Sequence, residues 1–330
     1  MLKKAVGARR HPALLTALAA AYVLAVVAVV LLFAAAHPGT GTATTVPQMT
    51  IRVYKADLIE RLATPPRIVV LGGSRATRFN PVSITAKTGE TAFNAAVTHA
   101  RPDDEWALVN LLHERFPRAR FRFLWVIHVD EFGGHGPDRS LLSDPVLSQY
   151  FPRAWVASWC KRRGVTPQQY PLFIQPPGME IAPDGYSVHN SLDVLARKWP
   201  LAQRVDQTIR KTLAAYRLYP ARLQPERRRY FEQTLRLMNS KGDKTVVVLA
   251  PLQPAFYAAM RHNGWGLRHA KVMHYLRELQ SRYRFDLLDL SRASSVRAAA
   301  NGFYDGVHMR PATCRRVFDT VLRAFPQALQ

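Results

Sequence analysis

The sequence predicts an α/β domain, a parallel β-sheet flanked by helices in three layers, behind an N-terminal transmembrane helix. Three observations carry that expectation. Apolar runs such as Arg67-Ile-Val-Val-Leu-Gly72 and Lys244-Thr-Val-Val-Val-Leu-Ala250 are continuous rather than alternating, as strands are when both faces of their sheet are covered. Stretches with helical periodicity lie between them, the order that builds parallel β-α-β units. Ahead of these, Ala13 to Ala36 carries no charged side chain and is almost entirely apolar.

Taken in order, residues 1–12 are a basic tail with Lys3, Lys4, Arg9 and Arg10. Residues 13–36 are long enough, at about 1.5 Å per residue, to span a hydrocarbon core of ~30 Å. The basic residues in front should keep the tail cytoplasmic and place the rest outside. A cleavable signal peptide is the rival reading, because Ala34-Ala-Ala36 resembles a cleavage site, although the run exceeds a usual h-region. Either reading exports the remainder. Residues 37–64 read as a linker and lead-in, with Gly, Thr and Pro concentrated between His37 and Pro47. Residues 65–330 are enough for one large domain.

Within that domain residues 67–72 read as a first strand and 91–94 as a short second one. Asp103 to Glu114 reads as a helix with Leu108, Val109, Leu111 and Leu112 on its apolar side. Residues 122–129 and 244–250 read as strongly apolar strands, and Leu267 to Tyr283 as an amphipathic helix. Residues 285–290 form a last strand, and Ala312 to Phe325 a closing helix. Residues 135–240 interrupt the alternation. They are rich in Pro, Tyr, Trp and Arg, with one clear helical stretch near Pro225 to Asn239, and read as an insertion over the active edge of the sheet.

Two short segments carry chemistry. Ser74 follows the first strand directly, in Leu71-Gly-Gly-Ser-Arg75, and strand carboxyl ends are where such sheets place their sites. Asp305 and His308 arrive three residues apart near the end of the chain, in Tyr304-Asp-Gly-Val-His-Met-Arg-Pro311. A serine hydroxyl becomes a nucleophile when an imidazole accepts its proton, and an acid fixes that imidazole's tautomer. Each segment alone also fits an ordinary turn, with Asp305 as a turn acceptor. Arg75 and Arg78 could contact an anionic substrate or form structural ion pairs. His128, Asp130, Glu131 and His135 could be assembled into a metal site on paper, although their spacing matches no zinc motif. Cys160 and Cys314 could pair or remain two buried thiols.

The blocks Leu-Gly-Gly-Ser-Arg-Ala-Thr-Arg-Phe-Asn-Pro, Phe-Asn-Ala-Ala-Val and Phe-Tyr-Asp-Gly-Val-His-Met-Arg-Pro resemble those of the SGNH (GDSL-like) hydrolase superfamily. The likeness is greatest to its membrane-anchored branch, typified by the D-alanyl-transfer protein DltD and the polysaccharide O-acetylation proteins AlgX and AlgJ. It covers roughly residues 65–130 and 244–325. The resemblance implies an SGNH/flavodoxin-like sheet, with Ser74 as nucleophile, His308 as general base and Asp305 as its orienting acid. It implies an oxyanion site around Gly73, the Ser74 amide and Asn94. The third block of the family should offer Gly-x-Asn, and this chain instead reads Ile127-His-Val-Asp-Glu131. No metal or organic cofactor is implied.

The chain carries a net charge of +23. Without the four basic residues of the tail it remains near +19, a balance that suits an anionic lipid or cell-surface polymer. The export signal and the lack of any nucleic-acid motif argue against nucleic acid. The expected protein is therefore an envelope-facing serine esterase or O-acyltransferase acting on a surface polysaccharide or lipid. A multi-pass membrane acyltransferase would be its partner if an acyl group must cross the membrane. The alternative expectation is a catalytically degenerate SGNH-like subunit that binds or assembles.

Overall fold

The computed structural model describes residues 51–134, 137, 139–164, 180–189, 191–219 and 221–329. The expected tail, anchor and linker up to residue 50, and His135, lie outside the described residues. Among the described residues no helix is long and apolar enough to cross a membrane.

Seven strands are described: β1 (Ile68–Gly72), β2 (Ala92–Asn94), β3 (Arg122–Ile127), β4 (Glu180–Ile181), β5 (Ser187–His189), β6 (Lys244–Leu249) and β7 (Asp286–Asp289). Five of them make one sheet in the order β2-β1-β3-β6-β7, with every pair parallel. The helices of seven residues or more are α1 (Ile51–Arg61), α2 (Pro81–Thr88), α3 (Pro102–Arg115), α4 (Arg153–Arg163), α5 (Ser191–Lys198), α6 (Leu201–Leu218), α7 (Pro225–Lys241), α8 (Pro254–Met260), α9 (Gly266–Gln280) and α10 (Pro311–Ala324).

Alternation along the strands splits the core into two faces. Val69, Leu71, Phe123, Trp125, Ile127, Val247 and Leu249 point to one side, where α1, α3, α7 and α9 cover them. Ile68, Val70, Leu124, Val126, Val246 and Val248 point to the other, against α10 and Ile84 of α2. Burial on both faces explains why these strands read as continuous apolar runs. The three-layer α/β architecture expected from the sequence is the one observed.

Several expectations need correction. Residues 51–61, inside the expected entry segment, form helix α1, and Ile51, Leu58 and Ile59 belong to the core. Its periodicity was masked because Arg52 and Lys55 are buried too, Arg52 in a 2.6 Å ion pair with Asp104. Helix α2 was missed, although Asn80 caps it, Pro81 opens it and Gly89 closes it in a left-handed conformation. β3 ends at Ile127, two residues early, because the chain turns into a short 3₁₀ segment over Val129–Phe132. Helix α7 lies in the expected insertion but is a layer helix of the sheet: its Phe231 ring packs 4.4 Å from that of Trp125.

The rest of the insertion is held both by apolar burial, with Leu141, Leu142, Leu147, Phe151, Trp159 and Val205 in the core, and by polar contacts. The two-stranded β4–β5 hairpin docks on β2, where Asn94 N–H donates to the Asp184 carbonyl at 2.8 Å. The buried Lys55 ammonium joins the Asn94 and Gly185 carbonyls. Arg78 pairs with Asp193 at the head of α5 and donates to the Ser187 carbonyl at 2.7 Å. Arg78 is thus a structural clamp, the second of the two readings its sequence left open. Helix α6 continues from there across the C-terminal loop: Arg204 bonds the Tyr304 carbonyl, and Gly306 N–H reaches Thr208 Oγ1 at 3.4 Å. Cys160 and Cys314 are both buried and unpaired.

Candidate active site

β1 delivers Ser74 to the carboxyl end of the sheet. Its neighbours β2 and β3 lie on opposite sides of it, so the crevice at a topological switch point opens there. Gly72 makes the exit from the strand possible. It sits at φ +130°, and a Cβ there would lie 2.1 Å from the Val126 carbonyl oxygen of β3. The turn is then fixed by Ala76 N–H to the Gly73 carbonyl at 2.8 Å and by Thr77 Oγ1 to the Ser74 carbonyl at 3.0 Å.

The other end of the chain brings the base. Residues 304–309 form a closed loop, with Tyr304 N–H bonded to the His308 carbonyl at 2.8 Å. Asp305 Oδ1 accepts the N–H groups of Val307 at 2.8 Å and His308 at 2.9 Å, which sets the carboxylate before the imidazole arrives. Asp305 Oδ2 then lies 2.7 Å from His308 Nδ1, and His308 Nε2 lies 2.9 Å from Ser74 Oγ. The structure therefore brings Ser74, His308 and Asp305 into one hydrogen-bonded line, each half-buried. Burial alone would raise the Asp305 pKa. The His308 hydrogen bond and charge and the two backbone N–H groups outweigh it and hold the carboxyl below its ordinary range. It stays ionised and keeps a proton on Nδ1, leaving Nε2 to accept from the serine.

Asn94 does not face the serine as an oxyanion donor. Its Nδ2 donates to the Ala76 carbonyl at 2.9 Å and the Phe79 carbonyl at 2.8 Å, while Oδ1 accepts Ala96 N–H at 3.0 Å. Both amide protons are spent bracing the turn after Ser74. The Ser74 backbone N–H, by contrast, donates to no group among the described residues. Gly73 lies between the serine turn and the start of the 3₁₀ segment, where an added Cβ would meet Glu131 Oε1 at 3.6 Å and His128 Nε2 at 3.8 Å.

That proximity brings to the site His128 and Glu131, which the sequence offered only as part of a metal site on paper. His128 Nδ1 accepts the Asp130 N–H at 3.3 Å, so in the neutral ring the proton is on Nε2. Burial, and then the Arg75 charge, push the His128 pKa well down and keep the ring neutral. Its Nε2 points toward Gly73 and lies 3.4 Å from Glu131 Oε1. Glu131 is pushed well up by burial, with Asp130 and Asp104 adding to the rise. Arg75 is buried at 8% exposure and no hydrogen bond or ion pair holds its guanidinium among the described residues. Burial lowers its pKa, with the nearby Asp130 carboxylate the largest opposing influence. The only sequence signal for His128 was its position in the third block, where the expected Asn is missing.

Among the described residues no group of three or more His, Cys, Asp or Glu side chains is placed to hold a metal ion.

No family model matches this chain, and the comparison with curated proteins gives no match either. Among solved structures, a crystal structure from Bacteroides fragilis, a protein to which acylhydrolase activity is ascribed, is similar at 10% identity and a TM-score of 0.38, over 83% of this chain and 95% of that one. A likeness of that strength carries no functional inference, so function is argued from the site.

Proposed function

We propose that this protein is a serine hydrolase or acyltransferase of the SGNH type. The observation that carries the reading is the continuous line from Ser74 Oγ through His308 to Asp305, at 2.9 and 2.7 Å. In such a line His308 Nε2 takes the Ser74 proton as Oγ attacks an ester carbonyl. The imidazolium, stabilised by Asp305, then protonates the leaving alcohol. An acyl group remains on Ser74. A water or a carbohydrate hydroxyl, deprotonated by the same Nε2, attacks it, and the nature of that acceptor separates esterase from transferase. The free Ser74 N–H supplies one oxyanion donor, and the neutral His128 Nε2–H, facing Gly73, is assigned as the second in place of Asn94.

The cellular setting follows from sequence. Four basic residues before an uncharged run of 24 support a single-pass anchor with the domain outside the cytoplasm. A substrate made at the envelope, a surface polysaccharide or lipid, suits that position, as does a multi-pass membrane acyltransferase that passes it acyl groups. This is the arrangement of the DltD and AlgX/AlgJ branch. The alternative, an SGNH-like subunit that binds without turnover, has one observation behind it: the Asn94 amide is consumed by backbone carbonyls.

A fluorophosphonate probe separates the two. The enzyme reading expects covalent labelling that maps to Ser74 and disappears in Ser74→Ala and His308→Ala. A folded chain that stays unlabelled at concentrations that saturate other serine hydrolases would leave only the binding role.

A further inference from the structure

Glu131 is a buried acid beside the nucleophile that the triad does not use. The 3₁₀ segment after β3 turns residue 131 back onto residue 128, with Glu131 N–H on the His128 carbonyl at 3.2 Å. The segment is fixed: Phe132 is fully buried, and its carbonyl accepts Gln224 N–H at 2.7 Å. The Glu131 carboxyl is thereby held at 2% exposure. Its Oε1 has His128 Nε2 at 3.4 Å and no hydrogen-bond partner elsewhere among the described residues. A Gly73 Cβ would lie 3.6 Å from Oε1 and 3.8 Å from Nε2, so the two atoms meet in the space beside Gly73.

A carboxyl taken out of water favours its neutral form unless donors or cations compensate. The groups that face this one are His128 and Asp130 on its own segment, Arg75 on the serine turn, and Asp104 and Glu105 in the first turn of α3. Arg75 favours the anion. The carboxylates oppose it, and Glu105 is itself buried with neither carboxyl oxygen hydrogen-bonded. Burial, with the Asp130 and Asp104 charges, holds Glu131 well above the usual carboxyl range. A neutral carboxyl offers His128 a carbonyl oxygen, which accepts Nε2–H more weakly than an oxyanion does. The 3.4 Å approach is also looser than a full hydrogen bond. Both features suit a donor that is held at rest and given up when charge develops on the substrate.

We propose that Glu131 is the positioning residue of the oxyanion site: its Oε1 holds the His128 ring with Nε2–H beside Gly73, and yields that N–H to the oxyanion as Ser74 attacks. The inference rests on the serine-enzyme reading and on His128 as the second donor. No proton is transferred in this step; Nε2–H exchanges one acceptor for a stronger one. An ionised Glu131 would keep the N–H and repel the oxyanion, so the neutral form is the active one.

The test is hydrolysis of p-nitrophenyl acetate by the full chain in detergent, with fluorophosphonate labelling of Ser74 run in parallel. Glu131→Ala should lower kcat about 10²-fold while KM moves by less than about two-fold, the pattern of a contact that matters in the transition state. Glu131→Gln, which keeps a neutral carbonyl in place, should recover most of that loss. Adding Glu131→Ala to His128→Ala should cost little more, because both act through one donor. Wild-type turnover should fall at alkaline pH as Glu131 ionises, and Glu131→Gln should lack that fall. A merely structural glutamate would give neither the kcat-against-KM split nor the changed pH profile. Glutamine as damaging as alanine, additive losses in the double variant, or an alkaline fall that persists in Glu131→Gln would each overturn the inference. The last readout decides if Glu131→Ala does not fold. Wild type that is neither labelled nor active would remove the enzyme reading and this inference with it. A labelled, active wild type whose kcat Glu131→Ala leaves within about three-fold would remove this inference alone.

Discussion

The sheet and the β4–β5 hairpin of the inserted segment, with α5 after it, are held by different forces. Around Trp125, Phe123 and Phe231 the sheet is packed by apolar side chains that are fully buried. The hairpin and α5 are fastened by Lys55 on two carbonyls and by Arg78 on Asp193, whereas the first half of the inserted segment buries Leu142, Phe151 and Trp159 in the same core as the sheet. Dispersion and apolar burial tolerate little displacement, so the sheet suits the fixed distances a proton relay needs. Polar contacts also tie the cover to the relay, because Arg204 and Thr208 of α6 bond the loop that carries Asp305 and His308. The difference teaches where precision and attachment come from: Ser74, His308 and Asp305 hang on the apolar-packed sheet and its loops, while the hairpin that covers β2 is attached through Lys55 and Arg78.

The largest expected effect would test that separation. His308→Ala should lower hydrolysis of p-nitrophenyl acetate by about 10³-fold or more, with little further loss when Ser74→Ala is added, because such groups act as a unit. A loss under ten-fold would break the assignment of chemistry to the sheet. A matched pair of glycines sharpens the comparison next. Gly72→Ala forces a Cβ to 2.1 Å from Val126 O, and Gly185→Ala forces one to 2.0 Å from Asn94 O, both at positive φ. The first should cost on the order of 3–5 kcal/mol of global stability in denaturant titration. The second should cost less globally and show instead as faster hydrogen exchange confined to the β4–β5 hairpin and its neighbours. Equal global costs would mean that the two regions unfold as one.

The smallest effect concerns Lys55. Burial lowers its pKa to about 7, with Asp184 opposing the shift. In the unfolded chain the same amine holds its proton to roughly pH 10.4. Between about pH 7 and 10 the unfolded state therefore binds more protons, and stability should rise with pH, by at most about 1.4 kcal/mol per unit. Lys55→Met should flatten that rise relative to the wild type. An unchanged pH dependence would mean that the ammonium is not buried under the hairpin.

The sheet was legible because burial on both faces turns β1, β3 and β6 into uninterrupted apolar runs. Ser74 and the Asp305–His308 loop could be singled out because their spacing is local to a strand end and a turn. Helix α1 could not, since its buried Arg52 and Lys55 look like solvent-facing residues in sequence. The use of Asn94 could not be read either. An amide in the second block of the sequence says nothing about whether its protons go to a substrate or to the carbonyls of Ala76 and Phe79. His128 escaped for a related reason: its tautomer depends on the Asp130 N–H, which exists as a donor there only once β3 has ended.

The two buried thiols form a pair of clocks. Cys160, on α4 of the inserted segment, belongs to one face of the core, and Cys314, on α10, to the other. Burial raises the pKa of each, so neither reacts with an alkylating reagent until its surroundings open. Because the two are unpaired, a single native-state labelling run, read by mass spectrometry of their separate peptides, times the breathing of the cover and of the sheet independently in the same molecule.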